Sequence, residues 1–552
     1  MKVAVVGSGV SGLAATWALN EFSGHEVHLY EAAPRFGGHA HTAKFNQPTK
    51  DGRGEREVQV DMGFIVFNPV NYPNFIRFLN MYPRLKEAII PSCMHFSVCR
   101  DEGVGEWAFK GLRSIFAQAK NILDRNTYRM VYDILRFNAC ARRLILENER
   151  NIAMEKDSEI TIGEYLEREG YSESFRDNML IPMMAALYCT PPDACASDFP
   201  ARTLLQFMEN YHLLQTEDDA CWMTLRGGSR MYVEEILSLI DPSRLHVNTP
   251  VRSVSTFPIE DPSSSKPRHK VLLETADGKV EEFDHVILAC HTDATLDILR
   301  RGKGFNAQEE ELLSSFRWNK NVAVLHSDAR LMPKSPEAWA SWNYLTYSAT
   351  EPGQHKRKAN IDRTSCTCTF DWMNQLQSLP SEEYGNLFVT MNPPFEPEES
   401  KVISRIQYDH ALVDVKGVLA QRKMDAIQNQ RGISFAGAWT NYTFHEDGFT
   451  SGLHAALHVS DNGSAEDALR LPFDLRYAER QAVPWQQAII FDFMQWSGAQ
   501  TVIGNAFGFC LDILQALFLF FLFLFSAYEP KVVASLKEPK VISSFESKVK
   551  SH

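Results

Sequence analysis

Apolar residues open the chain. Val3–Val6 form a continuous hydrophobic run, the pattern of a strand buried on both faces. Glycines follow at positions 7, 9 and 12, and the small apolar stretch Leu13–Leu19 then takes helical spacing. A second buried run, Glu26–Tyr30, stops at Glu31, so the first segment reads strand–turn–helix–strand. Between Glu106 and Tyr211 helical periodicity dominates, as in Tyr128–Phe137 and Thr161–Leu166. Leu225–Met231 leads into a helix, Leu245–Val254 reads as one strand, two strands flank Asp277 and Gly278, and Phe283–Ala289 is another buried strand. Residues 318–345 return to strand-like alternation with high aromatic density. Glu260–Pro267 and Glu351–Asn360 are polar and breaker-rich, and predict exposed loops. Ile433–Ala436 predicts a last buried strand, ending at Gly437, with a small-residue helix beginning near Gly448.

Beyond Leu471 the pattern changes. Ile513–Ala527 is an uncharged run of 15 residues dense in Phe and Leu. That is short of the roughly 20 residues that span a bilayer, and extension back to Val502 brings in Asp512. Apolar residues surround this helix on all sides, which predicts a membrane-associated segment over 501–527, spanning or re-entrant, with core packing as the alternative. The tail 528–552 is polar.

Composition narrows the function classes. At 44% hydrophobic and 23% charged, the chain is globular rather than disordered or collagenous, and 552 residues imply several domains. A net charge of −13 argues against nucleic acid as a partner. Cys366 and Cys368 form only a CxC pair, so the ten cysteines read as reduced thiols rather than a disulfide or zinc framework. The first strand leaves no room for a secretory leader, so no signal peptide is expected. GxSxG and HExxH are both missing, and His454 with His458 lacks a third ligand, so no metal site is expected.

The glycine spacing carries chemistry. Gly7 permits a tight turn, Gly9 lets the backbone approach a pyrophosphate, and Gly12 lets the helix pack close to the strand. The helix N-terminus then offers free N–H groups to phosphate. Glu31, nineteen residues beyond Gly12, stands where an acid meets the adenosine ribose. This is a dinucleotide site.

Arg35, Gly37 and Gly38 follow Glu31 in an RxGG arrangement. Here the chain resembles the flavin-containing amine oxidase superfamily, with its phytoene-desaturase-like and protoporphyrinogen-oxidase-like relatives. The run from Gly37 to Thr42, with Val60–Asn68 behind it, is most similar to a branch of predicted NAD/FAD-binding proteins, some resembling enzymes encoded beside cyclopropane-fatty-acid synthases. The resemblance implies a Rossmann-type α/β FAD-binding domain (1–90 with 220–300 and 400–465) interrupted by a mixed α+β substrate domain (91–219 with 301–399). A connecting segment (466–500) and the C-terminal hydrophobic helix complete it. It implies FAD bound non-covalently, with Val251 at the adenine and the strand-to-helix turn from Gly437 to Gly448 aimed at the flavin. Two departures stand out: His39 replaces the usual second arginine, and Ala438 replaces the usual acid.

The same resemblance offers His445, Glu446 and Asp447 as a polar cluster beside the cofactor, for capping, cofactor contact or proton transfer. Lys320, or Asn321 one residue on, matches a lysine that relatives bridge to the flavin through water. Tyr442 and Phe444 read either as walls of a substrate cage or as core. The expected reaction is hydride removal from a lipophilic substrate drawn from a membrane, with the flavin domain facing the cytosol. The alternatives are oxidation of a soluble amine, and a non-catalytic nucleotide-binding scaffold for a membrane lipid enzyme. No oligomeric state follows from the sequence.

Overall fold

The computed structural model describes residues 1–517 except 49–53, 102, 104, 110–111, 119, 146–159, 191–194, 196–197, 211–212, 214–221, 260–267, 351–356, 362–367, 461–468, 478–484 and 515. The opening strand, Lys2–Val6, lies at the centre of a five-stranded parallel sheet. Its order is Ile433–Phe435, His285–Leu288, Lys2–Val6, Glu26–Tyr30, Leu245–His246. Val3, Ala4 and Val5 are fully buried, as a strand covered on both faces requires. The helix Val10–Phe22 packs back on this sheet at a separation only glycine allows: a Cβ on Gly12 would stand 1.8 Å from the Gly7 carbonyl oxygen. A second helix, His445–Ser460, crosses it, with Gly452 against the Ser11 backbone.

The stretch Leu245–Val254, expected as one strand, is two strands in two sheets. Asn248 takes a left-handed φ of 53° and hydrogen-bonds to Ala33, and Pro250 follows, so pairing breaks and restarts at Val251. Val251–Ile259, Arg268–Thr275 and Val280–Phe283 form a separate antiparallel meander.

Over the parallel sheet lies a seven-stranded mixed sheet, here called the roof. Its order is Val402–Leu412, Arg317–His326, Phe388–Met391, Cys368–Trp372, Trp342–Thr346, Phe96–Arg100, Gly105–Ala108. Val402–Leu412 pairs along its length with Arg317–His326, so the return to the nucleotide-binding part follows Leu412 rather than residue 400. Arg357–Ile361 pairs with Ser348–Thr350, so part of the expected loop 351–360 is strand, whereas 260–267 lies outside the described residues. Helices Arg125–Cys140, Ile162–Arg168, Ile181–Tyr188 and Ala201–Asn210 flank the roof.

The C-terminal helices Trp485–Trp496 and 499–514 lie on Arg125–Cys140. Phe491 packs on Tyr132 and Phe507 on Tyr128 at ring separations of 5.6 and 5.0 Å, and Arg143 holds Asp492 through two 2.7 Å bonds. Asp512, expected near a bilayer, pairs with Arg125 at 3.8 Å. Among the described residues no helix is long and apolar enough to cross a membrane. Most of the expected hydrophobic helix, 515 and 518–527, and the tail 528–552 lie outside those residues.

Candidate active site

The C-terminal ends of the parallel strands and the underside of the roof enclose a cavity of about 610 Å³. This is where open α/β sheets bind ligands. Gly7, Ser8, Gly9, Glu31, Gly38, Val251 and Gly437 line its nucleotide side. Gly7 has φ +101°, a turn closed to other residues. Gly9 is different, because its φ of −62° suits any residue and a Cβ there would meet no protein atom within 4 Å. That Cβ would enter the cavity wall's open side. Glu31 accepts from the Ser8 N–H at 2.9 Å and the Ala33 N–H at 2.8 Å, holding its carboxylate at the end of Glu26–Tyr30. Arg35 donates to the Gly38 carbonyl at 2.7 Å; burial lowers its pKa, opposed by nearby Tyr408 and the Glu31 carboxylate.

The second glycine pair acts elsewhere. Gly227 and Gly228, both at positive φ, bring Ser229 onto the buried carboxylate of Asp61. Asp61 also accepts from Thr42 and Gln377, at 2.6 and 3.0 Å, which ties the Thr42–Pro48 strand, this turn and the roof together. Burial outweighs those donors and raises its pKa to about 6.

The expected catalytic cluster separates. His445 lines the cavity, stacked on Phe64 at 3.7 Å, with Nε2 2.8 Å from the Tyr232 hydroxyl. Burial lowers its pKa to about 3, so it is neutral and is held as a positioning group. Glu446 is absent from the cavity wall. It accepts from the backbone N–H groups of Asn74 and Phe75 at 2.9 and 3.0 Å, capping the helix Pro73–Met81. Asp447 caps its own helix by accepting from the Phe444 N–H at 2.8 Å. Gly448 also lies off the wall, where a Cβ would strike Val10 at 2.6 Å, so its role is helix packing. Lys320 is exposed, and its neighbour Asn321 is the buried residue, bonded to His410 and Asn392 at 2.8 and 2.6 Å. Of the two aromatic candidates, Phe444 is in the wall, stacked on Phe207 at 4.8 Å, and Tyr442 is outside it.

The roof side contributes residues the sequence did not single out. Met94, Tyr188, Phe207, Trp222, Trp342 and Met391 make it largely apolar. His39 stacks on Tyr408 at 4.7 Å and lies 5.0 Å from His410; burial and these neighbouring histidines hold it well below the ordinary histidine pKa. Asp371, 5% exposed, lies in this wall with no hydrogen-bond partner for Oδ1, and burial raises its pKa to about 8. Burial and this nearby carboxyl push the Cys189 thiol up to about 12. The indole N–H of Trp342, the cross-strand neighbour of Asp371, is also buried without a partner.

A family model described as flavin containing amine oxidoreductase matches residues 10–324, more than half of the chain. The chain belongs to that family. As a member it is an FAD-dependent oxidoreductase. Solved structures with the same fold include a CLA-producing fatty acid isomerase from P. acnes (TM-score 0.51, 14% identity, 83% of this chain and 98% of that one). A putrescine oxidase double mutant redesigned for cofactor binding gives 0.52 and 15%, covering 82% and 98%. Cyclohexylamine oxidase from Brevibacterium oxydans IH-35A gives 0.50 and 15%, covering 82% and 97%. No curated protein matches.

The residues fit this cofactor. Gly9 leaves open the space a pyrophosphate needs, and Glu31 and Val251 line the same cavity, where they would meet the adenosine; Arg35 is not part of the wall and is close enough to Glu31 to feel its charge. At the other end Gly437, Thr443 and His445 bring the start of His445–Ser460 to the wall, where the helix end would offer positive potential to a bound isoalloxazine.

Proposed function

We propose that this flavoenzyme removes a hydride from a lipophilic substrate, and that it draws that substrate from a membrane. The observation that carries the reading is the apolar, aromatic roof-side wall of a single cavity that also holds the dinucleotide residues. Bound FAD supplies the hydride acceptor. The chain's own residues supply position and dryness. Met94, Trp222, Trp342 and Met391 bury an apolar substrate body, and Phe64 with Tyr232 fixes the neutral imidazole of His445 at the wall. Exposed apolar side chains on the C-terminal helices, Trp496 at 85%, Val502 at 69% and Phe509 at 66%, support a lipid-facing surface, and the Phe- and Leu-rich sequence that follows is of the same character.

Anaerobic mixing of the oxidised protein with matched apolar and hydrophilic compounds tests this. Bleaching of the flavin by the apolar members is expected. Prompt bleaching by a water-soluble polyamine, with none by apolar compounds, would reverse the substrate reading. Full-length protein should float with phospholipid vesicles; quantitative release by alkaline carbonate would refute the membrane reading.

A further inference from the structure

The doubly charged pyrophosphate of a dinucleotide needs counter-charge, and among the described residues no lysine or arginine lines this cavity. The start of Val10–Phe22 supplies about half a positive charge. Four histidines line the wall, and two of them stand at the glycine turn itself. His39 follows Gly37 and Gly38, which are tied to that turn. The Gly37 N–H donates to the Ser8 carbonyl at 3.1 Å, and a Cβ on Gly38 would stand 2.9 Å from Gly9 Cα. His291 follows Ala289 and Cys290, whose backbone abuts Gly7: a Cβ there would meet the Ala289 carbonyl oxygen at 2.7 Å. The third, His410, belongs to the roof strand Val402–Leu412. Its ring lies 5.0 Å from that of His39, and the ring of His291 lies 6.5 Å from it.

The protons of this cluster are placed by its neighbours. Asn321 Oδ1 accepts from Asn392 and Asn319 at 2.6 and 3.1 Å, so Asn321 Nδ2 donates to His410 Nδ1 at 2.8 Å. His410 therefore carries its own proton on Nε2, as a neutral donor. His39 Nε2 has no hydrogen-bond partner. Burial first, then His410, His291, His445 and Arg35, favour the neutral form of His39. Tyr408 stacks on its ring and accepts or donates at His41, 3.2 Å away. Asp293 and Asp409 act on His291 in the opposite sense, and Asp409 Oδ1 is itself unpartnered. A pyrophosphate at the turn adds the strongest negative charge of all to this balance, and a nearby anion favours the imidazolium.

We propose that His39, His291 and His410 form a proton-linked clasp on the pyrophosphate of FAD: His39 takes up one proton from solvent as the cofactor binds, and FAD is released as pH rises. One N–H bond forms on His39, and nothing is oxidised or reduced. His39 supplies as an acquired charge what a fixed cation would supply permanently, and the clasp acts whichever substrate the cavity takes.

The test uses full-length holoenzyme diluted into buffers from pH 6 to 9, with free FAD measured by fluorescence after ultrafiltration. The dissociation constant should rise by about tenfold for each pH unit over part of that range, as one linked proton requires. His39→Arg should hold FAD tightly at every pH. His39→Gln should hold it weakly at every pH, about as wild type does at pH 9. Asp61, Asp371, Glu446 and Asp447 have raised pKa values within or near this range, and these two variants separate their effect from that of His39. FAD held by His39→Arg at pH 9 also shows that its loss from wild type is not general unfolding. In holoenzyme labelled with 15N-histidine, one imidazolium resonance present at pH 7 should be missing from His39→Gln. A wild-type dissociation constant that changes less than about twofold from pH 6 to 9 overturns the proposal. So does a pH dependence that survives in His39→Gln, or an unchanged set of imidazolium resonances in that variant.

Discussion

Replacing Glu446 separates a structural carboxyl from a catalytic one. Pro73 opens its helix without an N–H, so the first two donors without an intrahelical partner are those of Asn74 and Phe75. Both are served by Glu446, which is 7% exposed and 372 residues distant in sequence from Asn74. Glu446→Ala leaves two buried N–H groups without acceptors. At about 1–3 kcal/mol for each, less what relaxation and water recover, the loss should be about 2–4 kcal/mol, more than one lost cap. Glu446→Gln keeps one carbonyl oxygen and should lose about half of that. Because the carboxyl is outside the cavity wall, flavin reduction in the glutamine variant should stay within about threefold of wild type. Urea unfolding followed by tryptophan fluorescence gives the first quantity, and anaerobic stopped-flow reduction gives the second. A glutamine variant with wild-type urea midpoint and reduction slowed about a hundredfold would refute the capping argument and return Glu446 to the chemistry.

Gly9→Ala should fold normally and lose flavin, since its Cβ meets only open cavity, whereas Gly12→Ala should unfold the domain because its Cβ would overlap the Gly7 carbonyl; flavin absorbance per folded protein distinguishes the two. Lys320→Met should leave the flavin reduction rate unchanged, because the side chain is exposed and outside the cavity wall. Arg431→Met should cost about 3–5 kcal/mol by urea titration, because it strands the fully buried carboxylate of Glu309, which Arg431 grips at 2.7 and 2.8 Å. Stability should peak near neutral pH. Asp371 and Glu446 (about 8), Asp447 (about 7) and Asp61 (about 6) have raised pKa values, so their contribution is full below the unfolded carboxyl range and is lost as pH rises through those values. His41, His326 and His410 (about 4) and His285 and His445 (about 3) are lowered, so theirs is full above about 6.5 and is lost as pH falls. A urea midpoint that rises steadily from pH 5 to 9 would contradict this.

The nucleotide half was legible because its determinants are local. Val3–Val6, the glycine spacing and Glu31 each follow from neighbours a few residues away, and Ile433–Phe435 with its helix is a comparably local pattern. The roof was not legible in the same way. Asp371 sits in a strand flanked by Phe370 and Trp372, where one polar residue reads as the solvent side of an alternating pattern. Only pairing with Trp342–Thr346 and Phe388–Met391 buries it. Lys320 and Asn321 show the period-two problem sharply, since a one-residue slip exchanges an exposed lysine for a buried asparagine. Glu446 stood in an acidic first turn that suits a cap, and nothing in its own helix indicates that it caps another one.

The crossing of Val10–Phe22 by His445–Ser460 sets a timetable for making the enzyme. The phosphate-binding turn leaves the ribosome well before the strand and helix that complete its sheet and close its cavity, which end at residue 460. At about 5–20 residues per second, translation holds the glycine turn waiting for roughly 20–90 s. From the synthesis of residue 288 onward, one edge of His285–Leu288 lacks its partner until Ile433–Phe435 is made. Cofactor therefore joins late, and its binding to the completed cradle pulls the folding equilibrium forward by mass action. Cells short of riboflavin should accumulate the chain as an aggregation-prone, protease-sensitive species rather than as a stable apoenzyme.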